Sequence, residues 1–403
     1  MVHKYMLYSK KAYSLMIRDI AKLFTYLIMF GVFFSCSVDS TDELPAHIQS
    51  LENLTVYDNN TSPESSISIS KLTEFGNSEE VPIGRVSYVD VDDTGNVYLS
   101  EDSRSNHGIH VFDSDGNYLQ KIGRSGEGPG EFLSIYDMKV YKNRLYVLDG
   151  SLLRIQFFNI DDYSLVDQAS LTHSEWDFSG DQSMTFPEDI FVLSDSTLLA
   201  SFNHLTFDID TKSYYQIDYK GNVISDQIIK HDYITHFEDP GTKSYFYDPF
   251  GGRGSAVLSS NNNIYSSWSK EMLFKVYNSD GKYLRAFYHP FQNSQLSQVE
   301  ALNYYESEQF KSALNNHGVP GNWRAFEHMI IDDENRLWIS TIIDDQDVYK
   351  WWVMDRNGKI LAKKVLPRTN EIKKVQNDII YSVRTDEETG LQNIVKYDVE
   401  WGK

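Results

Sequence analysis

Acidic and histidine side chains recur in this sequence where short apolar runs begin or end. The set comprises Asp90, Asp137, Glu188, Asp189, Glu327 and His328. If the runs converge, carboxylate oxygens and an imidazole can hold Ca²⁺ or another divalent cation with open coordination positions. Asp137, Glu188 and His328 are the candidate metal ligands. The alternative is that these groups are only solvated, because a one-residue slip in strand register turns each side chain away.

The sequence contains no recognised catalytic motif. Neither a Gly-x-Ser-x-Gly nucleophile elbow nor a His-Glu-x-x-His zinc motif is present. Asp113-Ser114-Asp115-Gly116 begins like a calcium loop but lacks the closing Glu, which favours a hairpin turn. His231 and His236 have no third ligand nearby in the sequence. No catalytic residue is therefore predicted. An enzymatic function would depend on the candidate metal ligands.

A second set of residues combines aromatic rings with arginine. Its members are Trp176, Tyr245, Tyr247, Arg253, Trp323 and Arg324. Such a combination suits stacking on sugars or peptides, and we predict a ligand-binding cleft from it. The alternative is that the aromatic side chains of long loops pack on one another.

The elements that must position these residues are indicated by a phrase that recurs six times. An apolar or aromatic pair is followed by Asp or Asn, a small turn and a new strand, which is typical of a β-hairpin. The copies begin at Val111, Phe157, Gln216, Val276, Val353 and Lys396. Repetition at this spacing predicts the blades of an all-β, six-bladed β-propeller.

The last copy, from Val375 to Val399, supplies three strands before the chain ends. The alternating run Ile67-Ser68-Ile69-Ser70-Lys71-Leu72 predicts the missing fourth strand, which would close the ring without a free edge. Two insertions interrupt the repeats, at about 231–254 and 293–324. The first is an aromatic Pro/Gly-rich loop. The second places Leu296, Tyr305, Phe310 and Leu314 at helical spacing, so it predicts an amphipathic helix.

The N-terminal region has the pattern of a lipoprotein signal. Basic residues precede an apolar run from Leu23 to Phe34, which is too short for a comfortable membrane span and suits a signal-peptide core. Cys36, the single cysteine, follows at once and is the candidate lipidation site. We predict a signal peptide over 1–35, an acidic flexible tether over 36–66 and the propeller over 67–403. The alternative for Cys36 is a buried structural cysteine.

The composition limits the partners. The net charge is −21, so the surface repels nucleic acid and anionic lipid. One cysteine excludes a disulfide framework and a cysteine-based metal site. No cofactor is required by the sequence, although Ca²⁺ or another divalent cation fits the candidate metal ligands.

The connector Gly123-Arg124-Ser125-Gly126-Glu127-Gly128-Pro129-Gly130-Glu131-Phe132 resembles the G-x-G-P-G-E-F segment of six-bladed, NHL-type β-propeller lipoproteins of Gram-negative bacteria. The turn-plus-strand Asp92–Tyr98 is similar to an NHL repeat as well. The resemblance extends from about Ile67 to the C-terminus, and it implies fold and lipoprotein location but no particular reaction. A phosphate cradle is the alternative for the glycines, but the Lys-Ser/Thr of a P-loop is missing.

These observations predict a cell-envelope β-propeller, lipid-anchored to the outer membrane on its periplasmic face or at the cell surface. We expect it to act as a non-catalytic binding module for a small molecule, a glycan or an envelope protein. We expect the protein to attach to the membrane through its lipid anchor only. The alternative is a metal-dependent hydrolase or lyase with a divalent ion in the central channel.

Overall fold

The computed structural model describes residues 44–58, 62–76, 81–101, 107–172, 185–304, 307–386 and 388–402. The chain divides into two compact units, residues 1–51 and 52–403. The first contains the short helix α1 (Ala46–Gln49). Within the described ranges, no helix is both long enough and apolar enough to cross a membrane. The predicted signal peptide and Cys36 lie outside the described residues.

The second unit opens with two strands and then builds three blades in chain order. The opening strands are β1 (Leu54–Val56) and β2 (Ser66–Phe75). Blade 1 contains β3 (Val86–Val91), β4 (Val97–Glu101), β5 (Ile109–Phe112) and β6 (Tyr118–Ile122). The short strands β7 (Arg124–Ser125) and β8 (Glu131–Phe132) follow. Blade 2 contains β9 (Ile135–Tyr141), β10 (Arg144–Asp149), β11 (Arg154–Asn159) and β12 (Leu165–Ser170). Blade 3 contains β13 (Thr185–Ser194), β14 (Thr197–His204), β15 (Ile209–Asp218), β16 (Ile229–Glu238) and β17 (Tyr245–Tyr247).

Three further blades complete the ring. Blade 4 contains β18 (Gly254–Leu258), β19 (Ile264–Trp268), β20 (Met272–Tyr277) and β21 (Tyr283–His289). The helices α2 (Gln298–Asn303) and α3 (Glu308–His317) follow. Blade 5 contains β22 (Phe326–Ile331), β23 (Leu337–Ile342), β24 (Val348–Met354) and β25 (Ile360–Pro367). Blade 6 contains β26 (Glu371–Gln376), β27 (Ile379–Thr385) and β28 (Gln392–Gly402), and β2 is its outer strand.

The predicted closure of the ring is confirmed. Strand β2 pairs antiparallel with β28 from Ser66↔Gly402 to Phe75↔Ile394, so the N-terminal and C-terminal strands share the last blade. Ile67 and Phe75 are buried by this pairing. Apolar side chains fill the interfaces between neighbouring blades. Tyr98 of blade 1, for example, lies in the same apolar cluster as Met138 of blade 2.

The recurring Asp or Asn marks the turn between the two outer strands of a blade. In blade 1, the Asp113 Oδ1 accepts hydrogen bonds from the backbone N–H of Asp115 at 3.0 Å and of Asn117 at 2.8 Å. The Asn117 Nδ2, which donates to Asp113 Oδ2 at 2.8 Å, and these backbone bonds hold the pKa of Asp113 below its usual value. Gly116 has φ +89°, the left-handed conformation that the turn requires. The hairpin interpretation of this segment is therefore confirmed.

The glycine-rich connector is a braced bend between blades 1 and 2. The Arg124 Nε donates to Glu131 Oε1 at 2.8 Å, and the Gly128 N–H donates to Glu131 Oε2 at 2.9 Å. A Cβ on Gly126 would lie 2.1 Å from Glu131 Oε2, so only glycine fits there. The Arg124 side chain and the Gly128 N–H are thus both bonded to Glu131, which makes the connector a structural element.

Two expectations about the connecting segments were wrong. Within the interval 36–66, expected as a flexible tether, Leu54–Val56 forms β1 and pairs parallel with β21 of blade 4. A three-residue strand is too short for alternation to reveal it in the sequence. The interval 231–254, expected as a loop, begins as part of β16 and returns as β17, which pairs with it from His236↔Tyr247 to Glu238↔Tyr245.

The helical insertion is confirmed, but it contains two helices where one was expected. Ser297 caps α2 by accepting a hydrogen bond from the Glu300 N–H at 3.1 Å, and Ser307 caps α3 through the Phe310 N–H at 3.4 Å. The second cap starts a new helix after Tyr304. Tyr305, part of the predicted helical spacing, lies outside the described residues.

Candidate functional site

A cavity of about 920 Å³ occupies the axis of the ring. It is lined by the innermost strand of every blade, namely β3, β9, β13, β18, β22 and β26, and by the turns that follow them. Its charged lining residues include Asp90, Asp137, Lys139, Asp189 and Lys374. The predicted metal site would lie here, so the partners of these carboxylates decide what the cavity can bind.

Asp90 and Asp137 join neighbouring blades. The Asp90 Oδ2 accepts the Val140 N–H of blade 2 at 2.7 Å, and the Asp137 Oδ2 accepts the Ile190 N–H of blade 3 at 2.9 Å. Each carboxylate also holds a lysine, Lys374 Nζ at 2.7 Å from Asp90 and Lys139 Nζ at 2.6 Å from Asp137. Both side chains therefore act as braces between inner strands.

The other blade interfaces carry polar bridges near the same axis. They are Asn262 Nδ2 to Leu193 O at 3.0 Å, Ser260 N to Asn335 Oδ1 at 2.7 Å, Asn377 N to Asp333 Oδ1 at 3.0 Å and Gln376 Nε2 to Asp92 O at 3.2 Å. Together with the bonds of Asp90 and Asp137, they connect all six interfaces of the ring.

Glu188 and Asp189 are also engaged. The Tyr233 hydroxyl donates to Glu188 Oε1 at 2.7 Å, and Lys212 Nζ lies 2.8 Å from Asp189 Oδ2. Burial raises the pKa of Asp137 to about 6 in spite of the Lys139 ammonium. Burial also opposes ionisation of Asp189, but Lys212 holds the pKa of that carboxyl below its usual value.

The structure does not bring the three predicted metal ligands together. His328 lies on blade 5, beside Tyr349 with ring centroids 5.7 Å apart, and burial lowers its pKa. Across the described ranges, no group of three or more His, Cys, Asp or Glu side chains is placed to hold an ion. Asp137 is bonded to the Ile190 N–H of blade 3, Glu188 to the Tyr233 hydroxyl of its own blade, and His328 lies on blade 5, so the described structure does not gather the three residues into one ligand set.

Added calcium is expected to leave the melting temperature of the protein unchanged. An ion would have to displace the N–H and ammonium donors that occupy Asp90 and Asp137, and no ligand set compensates for that loss. Thermal melts with millimolar Ca²⁺ and with a chelator test this. A calcium-dependent rise that Glu188→Gln removes would restore the metal hypothesis.

The described members of the second predicted set lie at the opposite end of the ring, where innermost strands begin. Arg253 precedes β18 and Arg324 closely precedes β22. Here the β16–β17 hairpin packs on helices α2 and α3, with the Phe237 ring centroid 4.7 Å from that of His317 and the Phe246 centroid 6.1 Å from that of Phe310. We call this assembly of the hairpin and the two helices the platform.

Trp323 and Arg324 are structural parts of the platform. Trp323 is 3% exposed and packs against Phe250 at 5.2 Å between ring centroids. Arg324 is 5% exposed; its Nε donates to Glu327 Oε2 at 2.9 Å and its Nη1 to the Pro249 carbonyl at 2.7 Å. Both side chains are therefore buried and occupied by contacts within the protein.

Arg253 and Tyr247 remain accessible. The Arg253 guanidinium carbon lies 4.9 Å from the Tyr247 ring centroid, and its Nη1 is 3.8 Å from Glu327 Oε1. Its Nε is buried and has no hydrogen-bond partner in the described structure. Burial raises the pKa of Tyr247, so its ring stays neutral beneath the guanidinium.

Three glycines fix the position of Arg253. A Cβ would lie 1.7 Å from Thr235 Oγ1 at Gly251, 2.1 Å from the Trp268 ring at Gly252 and 1.8 Å from the Asp232 carbonyl at Gly254. The segment therefore lies directly against β16 and Trp268, as only glycine allows. The Gly-Gly-Arg-Gly pattern was the sequence signal for a precisely held arginine.

Tyr245 lies on the same short strand and is 47% exposed. Its ring centroid is 4.7 Å from that of Phe207, which is 75% exposed on the loop between β14 and β15. Phe207 was missed because a lone phenylalanine in a loop carries no pattern. Trp176, the remaining predicted binding residue, lies outside the described residues.

Arg368 was also missed. Its guanidinium carbon lies 4.5 Å from the Tyr349 ring centroid and 6.0 Å from the Trp323 ring centroid, and its Nη2 is buried without a hydrogen-bond partner in the described structure. It follows β25 directly, so it lies at the platform end of blade 5. No neighbouring residue in the sequence links it to Arg253, since the two are on different blades.

Comparison with known proteins supports the architecture. The DUF5128 family model, a 6-bladed beta-propeller, matches residues 59–253. The fold is similar to that of a DUF4221 family member from Bacteroides vulgatus, at 11% identity and a TM-score of 0.53, covering 84% of this chain and 99% of that one. It is also similar to a Bacteroides fragilis protein described as exported, at 14% identity and a TM-score of 0.52, covering 87% and 100%. Curated proteins gave no match. These likenesses confirm the six-bladed propeller and, at such identities, show the fold alone.

Proposed function

We propose that the protein is a non-catalytic binding module that holds its ligand at the platform end of the propeller. The observation that carries this proposal is Arg253. Its guanidinium is fixed by a glycine-rich segment and stacked on Tyr247, yet the buried Nε lacks an acceptor. A ligand cannot reach this buried atom, but the Arg253 side chain is 33% exposed. Hydrogen bonds from a charged guanidinium are roughly twice as strong as bonds between neutral groups, so its exposed N–H groups can hold a ligand.

The engaged carboxylates of the channel support a binding role over a catalytic one. A general acid or base must reach a substrate proton, whereas Asp90 and Asp137 hold backbone N–H groups of neighbouring strands. The rigid ring supports the same role, because residues mounted on strand ends need little ordering when they bind. The proposed partner is a small molecule, a glycan or an envelope protein.

The binding proposal is tested with the purified protein and a panel of neutral oligosaccharides, acidic oligosaccharides, acidic peptides and basic peptides. Binding is measured by isothermal titration calorimetry for the wild type and for Arg253→Ala. Arg356→Ala is the matched control, since Arg356 is an exposed arginine in the turn before β25, away from the platform. The proposal requires at least one ligand whose affinity falls with Arg253→Ala and not with Arg356→Ala. Ligands bound equally by all three proteins, or no binding by any member, would contradict it.

We further propose that the module is an NHL-type lipoprotein anchored in the Gram-negative outer membrane through Cys36. The basic segment, the short apolar run and the cysteine that follows it support this location. The net charge of −21 supports it as well, because an acidic domain is repelled by an anionic membrane surface and needs another means of attachment.

Cys36→Ser is expected to leave the precursor uncleaved or to release the protein from the membrane fraction. The apolar run from Leu23 to Phe34 is removed on processing, so it cannot anchor the mature chain. Metabolic labelling with a fatty acid and membrane fractionation measure the two effects. A Cys36→Ser protein processed and retained like the wild type would show the lipoprotein proposal to be wrong.

A further inference from the structure

We propose that a cleft between blades 3 and 4 binds a free amino acid with an apolar side chain. The cleft is a cavity of about 270 Å³ lined by β16 of blade 3 and by β19 and β20 of blade 4. Its lining includes neither Arg253 nor Tyr247, so this site is additional to the one proposed above. It is carried by a serine that leaves the cleft unfilled, a lysine beside that serine and a balanced set of charges.

The cleft is open because blade 4 has Ser266 where two other blades have an aliphatic side chain. Ser266 is the third residue of β19, and the third residues of β4 and β23 are Leu99 and Ile339. Both are fully buried against the preceding blade, Leu99 in one apolar cluster with Ile394 of blade 6 and Ile339 in another with Phe274 of blade 4. The shorter serine therefore leaves a space next to blade 3.

The size of this space suits a small molecule. A water molecule occupies about 30 Å³ in the liquid, so one or two waters would not fill the cavity. Small-molecule sites begin at about 300 Å³, close to the 270 Å³ of the cleft. An oligosaccharide or a folded partner is too large for it.

Ser266 and Lys275 provide a polar anchor in the cleft. Ser266 is only 7% exposed, and its hydroxyl has no hydrogen-bond partner among the described residues. Lys275 is its directly opposite neighbour on β20, so the two side chains lie on the same face of the sheet. Lys275 is half-buried, and its ammonium has no ion-pair partner in the described parts of the chain. A carboxylate accepts hydrogen bonds from both groups, so it is the fitting ligand group.

The charged side chains around the cleft balance one another. They are Lys230 and Lys275 against Asp232 and Glu271. A ligand with a net charge therefore meets groups of its own sign as well as groups of the opposite sign. A zwitterion places its carboxylate near a lysine and its ammonium group near a carboxylate, so it is favoured over a simple anion or cation.

His231 lines the cleft without adding a charge. Its Nδ1 lies 2.7 Å from the Asp232 carbonyl oxygen, and its Nε2 lies 3.3 Å from the Tyr214 hydroxyl. Burial lowers the pKa of His231 to about 4, so the imidazole is neutral at physiological pH. Both ring nitrogens are engaged by blade 3, which makes His231 a fixed wall of the site.

The remaining lining is apolar and accounts for the side chain of the ligand. It includes Trp268, Leu273 and Tyr277. The Trp268 ring is held in place by Gly252, where a Cβ would lie 2.1 Å from the ring. An aliphatic side chain that covers these surfaces is removed from water, and this burial favours leucine, isoleucine or valine over a polar amino acid.

The test is calorimetric titration of the purified protein with L-leucine, L-isoleucine, L-valine and L-serine. Two analogues of leucine separate its charged groups: 4-methylpentanoate lacks the ammonium group, and 3-methylbutylamine lacks the carboxylate. We expect at least one aliphatic amino acid to bind more tightly than serine and than either analogue. The bound amino acid should also raise the melting temperature by mass action.

Ser266→Leu gives blade 4 the side chain that blade 1 has, so it should abolish binding while the unliganded protein melts at or above the wild-type temperature. Lys275→Gln should lower the affinity about tenfold or more, because it removes a charge-assisted bond. Lys282→Gln is the matched control and should bind like the wild type, since Lys282 is an exposed lysine in the turn between β20 and β21. Melting curves establish that each variant is folded, and Ser266→Val is a smaller filling substitution in case leucine disrupts the fold.

Three results would overturn the proposal. If no aliphatic amino acid binds at millimolar concentration and Ser266→Leu raises the melting temperature, the cleft is a packing defect. If 4-methylpentanoate binds as tightly as leucine, the site does not select a zwitterion. If the filling variants and Lys275→Gln leave the affinity for leucine unchanged, leucine binds elsewhere on the protein.

Discussion

A chain that begins at Gly76, after β2, should fail to form a stable propeller. The truncation removes an outer strand whose nine residue pairs with β28 complete blade 6. It also removes Ile67 and Phe75 from the interfaces on either side of that blade. Burying each such side chain contributes about 1.5–3 kcal/mol, and native domains are stable by only about 5–15 kcal/mol in total. The exposed edge of β28 then offers a template for aggregation.

Two other starting points provide the controls. A chain that begins at Asn53 retains β1 and β2 and should melt like the full-length protein. A chain that begins at Glu64 loses β1 alone, which pairs with β21 over three residues, so a small drop in melting temperature is expected. Circular dichroism melts and size-exclusion chromatography separate these results. Equal melting temperatures for the chains beginning at Asn53 and Gly76 would show that ring closure does not depend on β2.

The blades could be predicted from the sequence because their strands are defined by local alternation and local turns. In blade 1, the copy of the recurring phrase that begins at Val111 covers the end of β5, the turn and the start of β6, as the hairpin interpretation predicted. The closing strand was found in the same way, since Ile67 and Ile69 alternate with serines. β1 was missed because its partner, β21, lies more than two hundred residues away and three residues carry no detectable period.

The platform could be located from the sequence, but the roles of its residues could not. The aromatic and basic residues of the second predicted set, apart from Trp176, belong to the two predicted insertions. Arg253 and Arg324 have the same residue type and both lie close before an innermost strand, yet one is accessible and the other is buried against Pro249. This difference depends on tertiary contacts, because Arg324 is held by Glu327 and by the carbonyls of Pro249 and Gly251. Residue type alone does not predict which of the two arginines is buried.

The channel carboxylates show the same limit. Acidic residues near the axis were expected, and Asp90 and Asp137 do line the cavity. Their partners are the Val140 and Ile190 N–H groups, and every residue except proline has such a donor. Nothing in the sequence therefore distinguishes a carboxylate that bridges two blades from one that is free to bind a cation.

Asp137→Ala should lower the free energy of unfolding by about 1–3 kcal/mol, the cost of leaving a buried N–H without its acceptor. The substitution leaves the Ile190 N–H of blade 3 without its acceptor and Lys139 without its carboxylate. Because Asp137 is buried between two blades, water does not readily replace these bonds. Urea unfolding at neutral pH measures the loss.

Asp195→Ala is the matched control at the same blade interface. Asp195 pairs with Lys142 at 2.8 Å, so it also connects blades 2 and 3, but its side chain is 72% exposed. An exposed ion pair of this kind contributes little to stability, and its loss should scarcely shift the urea midpoint. A large difference between the two variants would establish that the buried carboxylate braces the ring. Equal, small effects would mean that inter-blade packing carries the stability and that Asp137 remains in the channel for a ligand.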